Sequence, residues 1–522
     1  MYIQPNSVVK LLKNVPLDTT YNHTLYFTSK EAQANYFAGQ TKYSFSNVSY
    51  SRASKGSIRL EISADNIYDC NYMMFQNTSY GSRWFYAFIT EVEYINDATA
   101  QINFVLDVMQ TWHFDYQLKQ CFVEREHAAS DKIGANLIPE NIPFGDIVCV
   151  DNPVHGETFS IVVMYNEAKI ELNPAGATKL PPYLYTGVYQ GLSFLAFPMT
   201  TSTVENLGKT LESIELATQD GIVSIFMCPT WQVPAPNLSV TLASKSIVEP
   251  TEAFARYEGD FDGYKPKNNK LYTYPYNFIQ ATNYRGDQKQ FKYEYFKNPA
   301  SINFVKEGNF SSQPSTIMYP AMYKDYPPTS QIDLRLTIPN YPICSWSVSN
   351  FVDWLATSYI SDANNLQLSG LSAGLSILGG AGGATNIIGG VLSGLSGAGD
   401  SLQRMFDALT GQGKDVPNGS TSGSLLAGNH RACGFGVYRM RIRGEFAKII
   451  DEYFTMYGYA TNRVKIPNRS ARPHWNYVKT SGCVVTGSVP ADDMRAICEK
   501  YDRGITFWKR GTEVGNYSLS NK

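Results

Sequence analysis

Ile102, Phe104, Leu106 and Val108 occupy every second position. That spacing sets all four side chains on one face of a pleated strand, and no helix can align them. The same period governs Ile58, Leu60 and Ile62, which alternate with Ser57, Arg59 and Glu61 after a Lys55-Gly56 turn. It returns in Tyr272, Tyr274, Tyr276 and Phe278, and again in Phe291, Tyr293 and Tyr295, with a turn predicted at Arg285-Gly286-Asp287. The apolar stretches Trp84 to Ile95 and Ile102 to Met109 flank Asn96-Asp97, which reads as a hairpin. Tyrosine is heavily used, with 36 copies in 522 residues, and aromatic residues favour pleated, half-buried surfaces. The fold class expected is mainly β, of α+β type with short helices.

Those helices carry clear boundary signals. Thr28-Ser29-Lys30-Glu31 is a capping-box pattern, and Gly39 is a plausible stop. Phe446, Ile449, Ile450, Tyr453, Phe454 and Tyr457 fall on one helical face before Gly458. Another helix is predicted from Ala491 to Tyr501, after Pro490 and before Gly504, followed by a strand-like stretch from Ile505 to Lys509. Between about 155 and 270 proline and threonine rise, and one helical stretch spans Thr203 to Thr218. The expected organisation is residues 1–154, an inserted domain at 155–270, a second strand-rich part at 271–362, a Gly-rich stretch at 363–410 and a C-terminal portion at 411–522. The near-balanced net charge of −2 argues against a chain that grips nucleic acid, because phosphate contacts demand a basic excess. The eight cysteines lie far apart in no ligand spacing, so no metal, cofactor or disulfide framework is expected. Met1 to Pro16 lacks the apolar core of a secretory signal.

Between Asp362 and Asp400 there is no charged residue; Gly, Ala and Ser alternate with Leu, Ile and Val. A flexible linker would not need so many aliphatic residues. A transmembrane helix has the length, but each internal glycine costs about 1 kcal/mol relative to alanine. A buried core segment would bury little area per ordered residue. A conditional membrane-inserting segment fits the small residues at Gly370 and Gly374, or Gly390 and Gly394. The composition leaves linker, buried packing and membrane activity open.

Several motifs resemble chemistry without its context. Gly370-Leu371-Ser372-Ala373-Gly374 matches a nucleophile elbow, but polar residues precede it where a strong strand is required. Gly411-Gln412-Gly413-Lys414 fails as a phosphate loop, because Asp415 stands where Ser or Thr is needed. Asp260 and Asp262 before Gly263 start a calcium-loop pattern that goes no further. Glu124, Glu126 and His127 divide between two strand faces, which suits a solvated strand edge or an intersubunit contact better than one site. No enzyme is expected; a cell-wall serine esterase using Ser372 is the remote alternative.

Longer strings carry a resemblance. Asn66-Ile67-Tyr68-Asp69-Cys70-Asn71-Tyr72-Met73-Met74-Phe75-Gln76-Asn77 and Arg83-Trp84-Phe85-Tyr86-Ala87-Phe88 resemble the tail knob proteins of small protein-primed phages, the Picovirinae. So do Leu106 to Trp112, Phe122 to His127, Tyr457-Gly458-Tyr459, Asn462 to Lys465 and Gly515-Asn516-Tyr517-Ser518. The likeness covers the first ~130 and last ~90 residues and is patchy between. It implies two β-barrel-like tail-tube domains per subunit, an inserted outer domain and a long Gly-rich apolar loop, in a hexameric tube at the distal tail of the virion. It further implies assembly in the host cytoplasm, with other phage tail and collar proteins as partners. Double-stranded DNA would pass through the lumen without specific binding. The apolar loop would plug that lumen and enter the host cell membrane during genome delivery. Its membrane-active residues would be Leu366, Leu368, Leu371, Leu375, Ile377, Leu378, Ile387, Ile388, Val391, Leu392, Leu395, Leu402, Met405, Phe406 and Leu409. A host-receptor-binding tail adhesin is the rival reading, with residues 155–270 as the exposed part.

Overall fold

The computed structural model describes residues 6–48, 56–78, 81–151, 222–234, 247–283, 286–308 and 435–522, with shorter stretches between 153 and 210 and between 310 and 346. It is mainly β, and its α-helices include α1 (Lys30–Ala38), α2 (Val108–Thr111), α3 (Gly444–Tyr457) and α4 (Ala491–Arg503). The chain forms two compact units. One combines residues 1–146, 259–273 and 442–522; the other combines 147–258 and 274–441.

The first unit contains a six-stranded antiparallel sheet. Its spatial order is Thr41–Val48, Ser7–Lys13, Cys70–Asn77, Trp84–Asn96, Thr99–Leu106 and Ser57–Leu60. The expected hairpin is present, with Asn96 opposite Thr99. The central strand Cys70–Asn77 is buried on both faces: Tyr72, Met73 and Met74 are all 0% exposed. Tyr72, Met74, Tyr86 and Phe88 pack with Phe37 of α1 and with Trp475 and Trp508. Met73, Phe75 and Ala87 pack on the opposite face. That second core also takes Ile58 and Leu60 from one edge strand and Tyr43, Phe45 and Val48 from the other. Side chains from both edges reach one core only if the sheet curls, and bulges bend its strands at Leu11/Leu12 and Ile89/Glu91. The result is a half-barrel.

A five-stranded sheet follows in the same unit, ordered His23–Leu25, Ile505–Trp508, Trp475–Ser481, Cys121–Glu126 and Tyr459–Lys465. α4 buries Ile497 and Tyr501, carries Asp492 and Asp493 in its first turn and Lys500 and Arg503 in its last, and so complements its own dipole. In α1, Ser29 Oγ accepts from Ala32 N at 3.1 Å, so the helix starts where the sequence places it but its cap is one residue beyond the Thr28 that a capping box to Glu31 requires.

Two period-two readings break. Val108 and Met109 leave the strand because Asp107 caps α2, its Oδ1 accepting from Met109 N and Gln110 N. Residues 272–276 form no strand: Asn269–Tyr272 is a 3-10 turn, and Pro275 has no N–H for a ladder. The strand begins at Asn277, and Tyr293 to Tyr295 again form a 3-10 turn.

The second unit holds three larger sheets. In one, Gly436–Ile442 lies between Ile147–Asp151 and Asn277–Thr282, with Gln288–Phe291 outside. In another, Phe159–Tyr165 lies between Ser193–Pro198 and Ile222–Pro229 over a core of Val162, Phe194, Phe226 and Phe310. The third orders Ile247–Pro250, Phe304–Gly308, Thr316–Pro320 and Leu336–Ile338. The greater part of the helix predicted at 203–218 lies outside the described residues.

Candidate functional site

The apolar residues from Leu366 to Leu409 lie outside the described residues, as do the Gly370–Gly374 and Gly411–Lys414 motifs. The first unit has open sheet edges. Strand Tyr459–Lys465 is one: it pairs with Cys121–Glu126 on one side and has no strand partner on the other among the described residues. An unpaired edge offers a row of backbone donors and acceptors to another strand.

α3 positions this edge. Asp262 Oδ2 accepts from Gly444 N at 2.7 Å and caps the helix start, giving the acidic turn at 260–263 a structural task. Ala447, Ile450, Asp451 and Phe454 face inward. Ile449, Tyr453 and Tyr457, placed by their spacing on the apolar face, are instead outside, Ile449 at 64% exposure. At Gly458 the backbone takes φ +67°, and a Cβ there would come within 2.3 Å of the Glu126 carbonyl oxygen. Only glycine lets the chain turn so tightly from helix into edge strand. Along that edge Val464 is 66% exposed and its cross-strand partner Phe122 40%; Ile466 lies just beyond. The edge thus combines an unpaired backbone with exposed aliphatic side chains.

Glu124, Glu126 and His127 are not at a solvated edge, because Cys121–Glu126 is an interior strand. Glu124 pairs with Lys479 at 2.7 Å near the surface. Glu126 is buried, pairing with Lys465 and accepting from Asn468 N at 3.1 Å. His127 is buried too: its Nδ1 accepts from Tyr477 N at 2.8 Å, which leaves Nε2–H to donate to Thr455 O. Burial, with Arg472 and Arg125 nearby, lowers its pKa to about 3. Sequence reasoning missed Glu140, whose fully buried carboxylate holds Arg125 and Lys270 and accepts from Ala460 N at 2.9 Å. Nothing local to Pro139-Glu140-Asn141 signals that role.

A second open edge is Thr41–Val48 in the half-barrel. The hairpin exposes Tyr94 and Ile95 near its tip and Val105 on its second strand. Glu91 and Glu93 take hydrogen bonds from Asn103 and Gln101 across that strand pair. Cys70, Cys121, Cys149, Cys228, Cys483 and Cys498 are free. Among the described residues no group of three His, Cys, Asp or Glu could hold a metal, and no helix is long and apolar enough to cross a membrane.

Comparison with known proteins agrees with this architecture. Residues 5–117 match the N-terminal family of caudoviral major tail proteins. Residues 245–522 match the family defined by the C-terminal domain of tail knob protein gp9 of Bacillus phage phi29. Over the whole length the chain is 26% identical to tail knob protein gp9 of phi29 and 25% to that of Bacillus phage B103, each alignment covering 98% of both chains. The structure of the bacteriophage C1 tail knob protein gp12 shares the fold, at a TM-score of 0.61 and 14% identity over 99% of both chains. With more than half of its residues matched by the phi29 gp9 family, the chain belongs to the tail knob proteins of bacteriophages and is a structural component of a virion tail.

Proposed function

We propose that this protein closes into a hexameric tube through which the genome leaves the virion, and that residues 363–410 plug the lumen and then enter the host membrane. The full-length likeness to tail knob proteins carries this reading. The half-barrel and the unpaired edges support it, since a ring of subunits satisfies open edges without leaving one free. A net charge of −2 suits a conduit past which DNA slides. The charge-free 363–399 stretch suits insertion by several copies together, because copies held in one ring act at high effective concentration. The protein works beside other tail proteins and is made in the host cytoplasm.

End-on electron microscopy of the purified protein tests the tube, with hollow six-fold rings as the expected result. Deleting 368–409 then tests the loop: assembly persists while leakage from liposomes stops. Compact monomers under all tail-assembly conditions refute the tube, and undiminished leakage refutes the loop.

A further inference from the structure

A cavity of about 360 Å³ opens in the first unit between the segment Lys265–Asn268, α3 at Thr455, Arg472 and the last residues, 518–522. Its walls are firmly built. Asp451, 0% exposed on α3, accepts from Tyr264 Oη at 2.6 Å, Asn268 N at 2.9 Å and Asn268 Nδ2 at 2.8 Å. Asn268 Nδ2 also donates to Thr455 Oγ1 at 2.8 Å. Asn521 pins the opposite wall, its Oδ1 accepting from His474 N at 3.0 Å and its Nδ2 donating to Trp475 O at 2.8 Å.

The charges on these walls are not balanced. Lys265, Lys267 and Arg472 line the cavity beside residues 518–522, and no Asp or Glu side chain does. Arg472 is 6% exposed; one terminal nitrogen donates to the Asn521 carbonyl at 3.3 Å, and its buried Nε has no acceptor. None of Lys265, Lys267 and Arg472 forms an ion pair among the described residues. His127 also borders the space, but both its ring nitrogens are engaged and it is neutral. A nearly buried guanidinium without a counter-charge is costly unless an anion completes it. Arginine favours flat or tetrahedral oxyanions, and the serine hydroxyls of the 518–520 wall add neutral donors. The volume exceeds what a single water or halide needs.

We propose that this pocket binds a phosphate group, with Arg472, Lys265 and Lys267 as its charge partners. The inference is independent of tube formation. Isothermal titration of the full chain at constant ionic strength tests it, with inorganic phosphate in one arm and methyl phosphate in the other. Saturable one-site binding is expected, at least tenfold weaker in the double variant Lys265→Gln, Lys267→Gln and unchanged in Lys119→Gln. Both lysines sit on a segment held by Asp451 through Tyr264 and the backbone, so the double variant folds even where Arg472→Gln does not. Binding of both probes assigns a phosphate ester, and binding of inorganic phosphate alone assigns the free ion. Equal affinity of the double variant and the parent, or heats that never saturate, overturns the proposal.

Discussion

Acidification from pH 7.5 to pH 5 destabilises the first unit through two buried histidines. His127 and His113 are held neutral, chiefly by burial, with pKa values lowered from 6.5 to about 3 and about 4. Each binds a proton in the unfolded chain at a pH where the folded chain refuses it. Stability is therefore full above 6.5 and is lost as pH falls from there toward the folded values. At pH 5 each histidine costs about 2 kcal/mol, from the ratio of bound-proton partition functions. Asp107 opposes them: burial raises its pKa to about 6, so its protonation favours the folded chain over the same interval and returns roughly 1 kcal/mol. The net loss is about 2–3 kcal/mol. Urea unfolding followed by tryptophan fluorescence measures it, since Trp475 and Trp508 are fully buried in this unit. In His127→Gln the difference between the two pH values shrinks by about 2 kcal/mol, whatever the variant's absolute stability. Equal parent stability at both pH values, or a His127→Gln variant that keeps the whole difference, refutes the reasoning.

Gly458→Ala meets both a left-handed backbone and the Glu126 carbonyl, and thermal unfolding should show a loss of more than about 2 kcal/mol. Ser29→Ala removes the α1 cap and costs about 1 kcal/mol in the same assay. Glu140→Gln leaves Arg125 and Lys270 without their shared carboxylate; the expected loss is about 3–5 kcal/mol by urea unfolding, as for other broken buried ion pairs. Val464→Asp lies on the exposed edge and leaves monomer stability within about 0.5 kcal/mol. Sedimentation should nonetheless show weaker self-association, and unchanged association removes that edge from the subunit interface.

What the sequence made legible is local. The Asn96-Asp97 hairpin, the start of α1 and α4 behind Pro490 each rest on residues a few positions apart, where backbone physics decides the outcome. The departures are tertiary. Tyr272, Tyr274 and Tyr276 keep the strand period, yet Pro275 denies the ladder a donor, a signal that was present and outweighed by the alternation. On α3 the apolar face is rotated: a carboxylate, Asp451, faces inward because Tyr264 and Asn268 supply its donors, while Ile449 faces out. Those partners lie more than 180 residues away in sequence. A similar distance hides Asp262 as the cap of α3. No local pattern encodes a contact whose two halves are brought together only by the finished fold.

The edge strand illustrates how burial and exposure cooperate. Its backbone leaves α3 through Gly458, is fixed at Ala460 N by Glu140, and ends at Lys465 on the buried carboxylate of Glu126. Each anchor is polar and inward, so none competes with the outward Val464 for a partner. A strand held only by apolar packing can slip in register, and a slip of one residue exchanges its faces. Hydrogen bonds and ion pairs at fixed positions oppose that slip, since a displaced register would take Ala460 N from Glu140 and Lys465 from Glu126, both buried. The inner polar contacts thus hold the outer edge in one register before any neighbour arrives. Pre-ordering of this kind lowers the entropy lost on association. In the proposed ring, a surface with few exposed aliphatic residues would gain from this order, and the costliest substitutions for that edge lie beneath it.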